Sequence, residues 1–376
     1  MNTNSQSARF REHHLKEILT TFDVNRGPFD MFLSNYFRHH PSLGSKDRAD
    51  IGKKAYQAVR WQALLKIVSP SDLDSFNPKE YLTREDIPLH DRVSFPKVLF
   101  DLMEKAYGRE KAIEIALNSN EEAPTTLRCN PSKCSRDELI AKLKGHGLEA
   151  APTAVSPFGI VLQKRAQLFQ LPEFAEGFFE MQDEGSQLLA ELVQAKKGDE
   201  VLDYCAGSGG KALAFAHKLE GKGQIYLHDI RAEALANAKK RLNRAGIQNA
   251  QALLPDDARK KKILKGRMDW VFVDAPCTGT GTLRRNPDMK WRFSESFLQE
   301  QIQLQRQVMQ EAVPYLKPSG SIVYATCSIL PQENESQVEY FCKTLGLKAV
   351  STPFKCLPTP GQMDGFFAAV FTLEEK

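Results

Sequence analysis

Two cysteines stand at positions that an open α/β sheet would turn toward one crevice. Asp274-Ala275-Pro276-Cys277 follows the apolar run MDWVFV, and Thr326-Cys327-Ser328 follows SIVYA. The carboxyl ends of parallel strands line the ligand crevice, so thiols far apart in sequence can serve one site. An isolated cysteine is more often a small buried hydrophobe. Two at equivalent strand ends, one of them in an Asp-x-Pro turn, point to chemistry instead. A thiol beside a methyl donor suits alkylation of carbon 5 of a pyrimidine, which is too weakly nucleophilic to attack a sulfonium methyl unaided. A thiolate adding to carbon 6 makes the ring enamine-like. Free cysteine titrates near pH ~8.5, so such a site must favour thiolate or couple deprotonation to attack. After transfer the carbon 5 proton must leave before the thiol is eliminated, and a second thiol or its water can assist that release.

A glycine-rich loop precedes both cysteines. Cys205-Ala206-Gly207-Ser208-Gly209-Gly210-Lys211 follows the strand-like EVLDY and leads into a helical segment, so its small residues let main-chain N–H groups approach a ligand closely. A phosphate loop would need Gly at Cys205 and Ser or Thr at Ala212, and the G-x-G-x-x-G dinucleotide spacing is absent. The remaining readings are an S-adenosylmethionine loop and a glycine turn with no ligand. Asp229, ending the next strand-like run, favours a cofactor, because an acid there accepts hydrogen bonds from ribose hydroxyls. Asp256 and Asp257 follow the third run, with Asp257 the better placed to face an adenine ring.

The elements that must hold these residues read as three regions. Residues 1–118 carry apolar positions at helical spacing, as around Ile51, Ala55, Val59 and Leu65, with breaks near Ser69-Pro70 and Asn77-Pro78. Residues 119–180 form a small α+β unit: TTLRCN and FGIVLQK as strands around a helix opened by the capping box Ser135-x-x-Glu138. Residues 181–376 alternate strand and helix in the rhythm of a mostly parallel, Rossmann-like sheet, with a long helix near 294–316 and a closing strand in GQMDGFFAAVFTLEEK. The composition, 41% hydrophobic and 26% charged, supports packed cores and excludes disorder as the main state. No apolar run reaches the ~18 residues of a membrane span, and the first residues lack an apolar signal region, which predicts a cytoplasmic protein without membrane attachment. The net charge of +4 decides nothing, but residues 231–292 hold 15 Lys/Arg against 6 Asp/Glu, a basic stretch suited to a polyanion.

DYCAGSGGK, VDAPCTGTGTLRRNPDMKW and YATCSILPQENE, with DGFF near the C-terminus, resemble the Sun/Fmu (RsmB-type) family of RNA cytosine-5 methyltransferases. The resemblance runs from about Gln182 to the end, is looser over 124–180, where it implies an RNA-recognition-like region, and is weak over the first 118 residues. It implies a Rossmann-like S-adenosylmethionine-dependent methyltransferase, with Cys327 as nucleophile and Cys277 assisting product release. Asp274 would bond the cytosine edge and border the cofactor. Residues Cys205, Ala206, Gly207, Ser208, Gly209, Gly210 and Lys211, with Asp229 and Asp257, would hold S-adenosylmethionine. The family usually has Ala-Pro where this chain has Gly207-Ser208. DNA cytosine methyltransferases use the Pro-Cys cysteine as nucleophile, so spacing alone leaves Cys277 and Cys327 open, and the paired TCS motif favours the RNA family. Arg284 and Arg285, in a loop beside a basic segment, are expected to contact RNA phosphates.

Ribosomal RNA is the expected substrate class and transfer RNA the second, with a noncatalytic RNA-binding assembly factor as the reading from a different class. No obligate protein partner is expected. Cys129 and Cys134 lack a second Cys/His pair at finger spacing, and His13-His14 and His39-His40 sit in polar contexts, so no metal is expected and these histidines are read as solvated. Arg259-Lys260-Lys261-Lys262 reads as a solvated charge run.

Overall fold

The computed structural model describes residues 3–70 and 73–374, which fall into two compact units. One unit holds the chain up to Glu122 together with Thr282–Leu298; the other holds Ala123–Gly281 and the chain from Gln299 onward.

The first unit is helical: α1 (Thr3–Thr21), α2 (Phe29–His39), α3 (Ser45–Arg60), α4 (Gln62–Val68), α5 (Leu89–Arg92), α6 (Lys97–Tyr107) and α7 (Arg109–Ser119). The stripe Ile51, Ala55, Ala58 and Val59 recurs at helical spacing along α3 and is buried. It packs with Ile18 of α1 and Phe29 and Leu33 of α2, and Trp291 from the later segment joins the same cluster. The expected break at Ser69-Pro70 is the end of α4, where Ser69 takes a left-handed conformation as C-cap, φ 41°. Thr282–Leu298 lies beyond Gln182 in sequence, yet belongs to this unit.

The second unit contains two sheets. A four-stranded antiparallel sheet of β1 (Thr125–Cys129), β2 (Ala150–Pro152), β3 (Gly159–Leu162) and β4 (Phe179–Met181) has the order β2-β3-β1-β4. With α8 (Arg136–Gly145) and the short α9 (Pro172–Ala175) it forms a β-α-β-β-α-β unit. The expected capping box is formed: Glu138 N donates to Ser135 Oγ, and Glu138 Oε2 accepts from Ser135 N. Helix α10 (Glu184–Glu191) then leads into the larger sheet.

That sheet consists of β5 (Glu200–Asp203), β6 (Gln224–His228), β7 (Ala250–Leu253), β8 (Met268–Asp274), β9 (Leu316–Thr326), β10 (Leu347–Ala349) and β12 (Phe366–Leu373) in the order β10-β12-β9-β8-β5-β6-β7, with β11 (Phe354–Cys356) paired to β12. The neighbours from β7 to β9 run parallel, and β12 is antiparallel to β9. Chain order reverses between β5 and β8, the switch point at which a doubly wound sheet opens its ligand crevice. Adjacent residues feed opposite cores: Val201, Phe272 and Val323 lie in one cluster, while Leu202, Val271 and Ile322 lie in the other. Both faces are therefore covered, which explains why these strands read as continuous apolar runs. The helices after β5, β6 and β7 are α11 (Gly210–Phe215), α12 (Ala232–Ala245) and α13 (Ala258–Leu264); α14 (Glu295–Ala312) precedes β9 and α15 (Glu335–Thr344) follows it. The long helix expected to reach 316 stops at Ala312, where Val313–Tyr315 tightens into a 3-10 turn around Pro314, which has no N–H to continue the ladder. Among the described residues no helix is long and apolar enough to cross a membrane.

Candidate active site

The glycine-rich loop joins β5 to α11. Gly207 and Gly209 sit at positive φ, 52° and 78°, where a side chain would be strained. At Gly209 a Cβ would also come within 3.1 Å of Ala238 Cβ, so the loop lies directly on α12. Gly207 N donates to Asp229 Oδ2 at 2.8 Å, and Arg231 donates to Asp229 Oδ1 from its backbone N (2.9 Å) and Nε (3.0 Å). Burial opposes ionisation of Asp229, but these hydrogen bonds outweigh it and hold the carboxyl below its ordinary value. Ser208, where the family usually has Pro, is anchored: Arg241 Nη1 donates to its carbonyl (2.9 Å) and its hydroxyl (2.8 Å). Arg241 and Arg244 also pair with Glu180 at the end of the small sheet. Gln182 completes the tie, receiving Arg128 Nε at 2.7 Å and donating to Gly210 O at 3.2 Å.

Cys277 and Cys327 are both half-buried, and their Sγ atoms lie 3.4 Å apart. The hydrogen bond with Cys327 and burial push the Cys277 thiol well above the ordinary value, so it keeps its proton. Lys211, entering from the glycine loop, donates from Nζ to Asp274 Oδ2 at 2.6 Å. Burial works against the charge on Lys211, and Asp274 and Asp203 more than offset it, so the ammonium is held above its ordinary pKa. Asp203, which ends β5, is fully buried and has no close hydrogen-bond partner among the described residues. Burial, with the charge of Asp274 adding to it, pushes its carboxyl up to about 7. One lysine thus stands against two carboxylates, and one of them gives up its charge near neutrality.

The two cysteine turns are locked together by residues that follow Cys327. The buried Glu333 accepts from Thr278 N (2.8 Å), from the hydroxyls of Thr278 and Ser328, and from Gln305 Nε2 (2.9 Å). Burial raises its pKa despite these donors. Asn334 donates to Ser328 O (2.9 Å) and accepts from Thr326 Oγ1 (2.7 Å), and Gln305 also donates to Pro276 O (3.0 Å). Gly281 N donates to Cys327 O at 2.9 Å, and a Cβ on Gly281 would lie 2.1 Å from Gly365 O, so the turn after Cys277 admits glycine alone. Sequence reasoning assigned no role to Glu333, Asn334 or Gln305. The signal available was an acid and an amide at fixed distance from Cys327, in the same QENE run that carries the resemblance.

The fold therefore gathers Asp274, Cys277 and Cys327 at the ends of β8 and β9, with Lys211 reaching them from the first turn of α11, the loop from Cys205 one strand along and Asp229 two. Asp257 caps α13, its Oδ1 accepting from Lys260 N at 2.9 Å, which commits part of the carboxylate expected to face adenine. Arg284 and Arg285 belong to the helical unit. Arg284, expected to contact RNA phosphates, is 1% exposed, so its side chain does not lie on a surface that RNA could reach. Lys290, from the same basic stretch, is also 1% exposed, so part of the excess of 15 Lys/Arg over 6 Asp/Glu in residues 231–292 is interior.

Residues 190–372 match the family described as 16S rRNA methyltransferase RsmB/F, and residues 95–168 match the ferredoxin-like domain of the RsmF/B-like methyltransferases. Ribosomal RNA small subunit methyltransferase B of Klebsiella pneumoniae is 34% identical over 302 residues, 77% of this chain and 69% of that protein. The chain belongs to the RsmB/F methyltransferase family. A probable ribosomal RNA small subunit methyltransferase B from Synechocystis is 32% identical over 78% of this chain and 66% of its own length. This chain thus spans about two-thirds of the length of the curated relatives it matches. The crystal structure of PH0851 superposes with a TM-score of 0.79 at 23% identity, covering 92% of this chain and 94% of that one. NSun6 from Pyrococcus horikoshii, determined with SFG, an analogue of S-adenosylmethionine, gives a TM-score of 0.68 at 21% identity over 75% of this chain and 99% of its own. These likenesses establish the fold, a parallel methyltransferase sheet, for an RsmB/F family member whose ferredoxin-like unit is the four-stranded sheet described above.

Proposed function

We propose that this RsmB/F protein methylates carbon 5 of cytidine in small-subunit ribosomal RNA, using S-adenosylmethionine, through a covalent Cys327 adduct. The observation that carries the reading is the pair of Sγ atoms 3.4 Å apart, set beside the Lys211–Asp274 ion pair. The loop fits the cofactor: a Cβ at Gly210 would enter open space and one at Gly207 would meet only the end of Arg231, so the main chain presents an unobstructed face. Cys205, Ala206, Gly207, Ser208, Gly209, Gly210 and Lys211 would line it. Asp229 would take ribose hydroxyls in place of the exposed Arg231 guanidinium, which holds one acceptor site on each of its oxygens, and Asp257 would border the base. S-adenosylmethionine bound there supplies an electrophilic sulfonium methyl.

This chain's residues do the rest. Asp274, fixed by Lys211, accepts a hydrogen bond from the cytosine edge and orients the ring. Cys327 gives its proton to solvent water as it attacks, and the Cys277 thiol, which keeps its own, donates a hydrogen bond to the Cys327 sulfur. Cys327 Sγ bonds to carbon 6, and the electron pair displaced to carbon 5 takes the methyl group. Once Cys327 is a thioether, the negative charge that held the Cys277 proton in place is gone, so the Cys277 thiol becomes more acidic. The Cys277 thiol passes its proton to solvent water and the thiolate left, directly or through a water, takes the carbon 5 proton; the C–H electron pair re-forms the 5,6 double bond and the Cys327–carbon 6 bond breaks with its electrons on sulfur. The ring must leave any stack to reach both groups, so single-stranded or splayed cytidines are the expected target.

The test is incubation with methyl-labelled S-adenosylmethionine and, separately, unmodified small-subunit ribosomal RNA, transfer RNA and DNA of the ribosomal sequence, followed by nucleoside analysis. Label in 5-methylcytidine from the ribosomal RNA is expected. Label in another nucleoside, or none while calorimetry registers cofactor binding, would overturn the reading; label confined to transfer RNA or DNA would reassign the substrate.

A further inference from the structure

Outside the methyltransferase unit, three metal-ligating side chains converge in the helical unit. His14, Glu17 and His40 offer one ligand atom each, all within 4.8 Å of one another. The sequence reading took these histidines as solvated, but His14 is buried, 6% exposed, while Glu17 and His40 are half-buried at the rim. His14 and Glu17 stand three residues apart on α1 and so share a face. His40 caps the C-terminal end of α2, one turn beyond Tyr36.

Hydrogen bonds already fix the protons and the ring planes. Tyr36 Oη donates to Glu17 Oε2 at 2.6 Å, and since a hydroxyl has one proton, the 2.6 Å contact between His14 Nδ1 and Tyr36 Oη requires His14 to donate. His40 Nδ1 lies 2.8 Å from Tyr36 O, a carbonyl that only accepts, so the His40 lone pair is on Nε2. The His40 ring is further held by stacking on Tyr36, centroids 4.1 Å apart, and meets His14 edge-on at 5.1 Å. His40 is held as metal-binding histidines are, its second ring nitrogen donating to a carbonyl that sets tautomer and orientation, while His14 donates to the Tyr36 hydroxyl.

We propose that His14, Glu17 and His40 form a divalent-metal site that takes a borderline ion of the zinc class and ties α1 to the end of α2. Two imidazoles and one carboxylate are a donor set that zinc accepts, with the fourth position left to water. Tetrahedral zinc with ligands at about 2.1 Å places donor atoms ~3.4 Å apart, so ligand atoms up to 4.8 Å apart need close by at most ~1.4 Å. Glu17 and His40 at the rim give the ion a path from solvent. No residue of this cluster belongs to the cysteine site.

The full-length, chelator-treated protein should be titrated with Zn2+ by calorimetry and with Co2+ by absorption spectroscopy. One ion per chain is expected at the tightest site, with a Co2+ spectrum lacking thiolate-to-metal charge transfer, because Cys277/Cys327 and Cys129/Cys134 are the competing thiol pairs. His40→Gln and Glu17→Gln should each weaken that site about 10-fold or more. His40 is half-buried at a helix end, so the metal-free His40→Gln protein should melt close to the parent. Absence of binding, a thiolate band at the tightest site, or affinity unchanged in both variants would overturn the proposal.

Discussion

At the residue scale, chemistry is set by who holds a proton near pH 7. Asp203 is buried against Asp274, and its carboxyl lies at about 7, above the ordinary carboxylate range. A raised acid favours the folded state while protonated, so this residue's ionisation erodes stability as pH climbs from about 4 to 7, and the loss is complete above 7. Asp203→Asn should therefore raise the melting temperature more at pH 8 than at pH 5; an equal change at both pH values would contradict the assignment. Glu333 acts on the cysteines through their turns. Glu333→Ala leaves donors from Thr278, Ser328 and Gln305 unsatisfied, at about 1–3 kcal/mol for each that stays buried. We expect kcat to fall while the KM for S-adenosylmethionine holds, and the rate of Cys277 and Cys327 alkylation to change. A variant with lowered kcat and unaltered thiol reactivity would show that Glu333 does not position them. The thiols and the glycine loop were legible in the sequence because strand-end motifs are local. Glu333 was not, because its partners are brought to it from three separate elements.

At the scale of elements, the crevice exists because β8 and β9 lie side by side and end at the same level, Asp274 pairing in register with Ala325. The alternating pattern of strands and helices announced that sheet, since both faces are covered and each strand is an apolar run. Less visible was how closely the turn after Cys277 approaches the start of β12. Gly281 N bonds to Cys327 O at 2.9 Å, while Gly365 N bonds back to Gly281 O at 2.8 Å. A methyl group on Gly281 must push the Gly365 carbonyl away and would drag the Cys277 turn with it. Displacing a catalytic group by about 1 Å costs up to ~10²-fold in rate. Gly281→Ala is expected to lose activity on that order while far-ultraviolet circular dichroism stays unchanged. Retained activity would mean that the turn tolerates displacement.

At the scale of the whole molecule, the chain leaves the methyltransferase sheet after Gly281, contributes Thr282–Leu298 to the helical unit, and returns. Its basic residues read as surface charge in the sequence because the groups that pair with them lie some 170 to 230 positions away. Lys290 Nζ donates to Arg60 O (2.7 Å) and Asn120 Oδ1 (2.6 Å) and faces the rings of Phe95 and Trp291 at 4.5 and 4.9 Å. Arg60 in turn donates to Arg284 O at 2.9 Å, and Trp291 to Val59 O at 2.8 Å. Lys290→Met keeps the bulk and strands both acceptors, so thermal unfolding should show a loss of about 1–3 kcal/mol. An unchanged melting curve would contradict the buried role. The segment that carries the Cys277 turn onward is thus also part of the core of the helical unit.

The assignment of the two thiols is tested most directly by trapping the RNA. Full-length Cys277→Ala and Cys327→Ala proteins should be incubated with S-adenosylmethionine and unmodified small-subunit ribosomal RNA, then resolved under denaturing conditions. Cys277→Ala should accumulate a covalent protein–RNA species that depends on the cofactor, because the adduct forms and is not released, whereas Cys327→Ala should form none and transfer no methyl group. An adduct in Cys327→Ala would reverse the two roles and contradict the account.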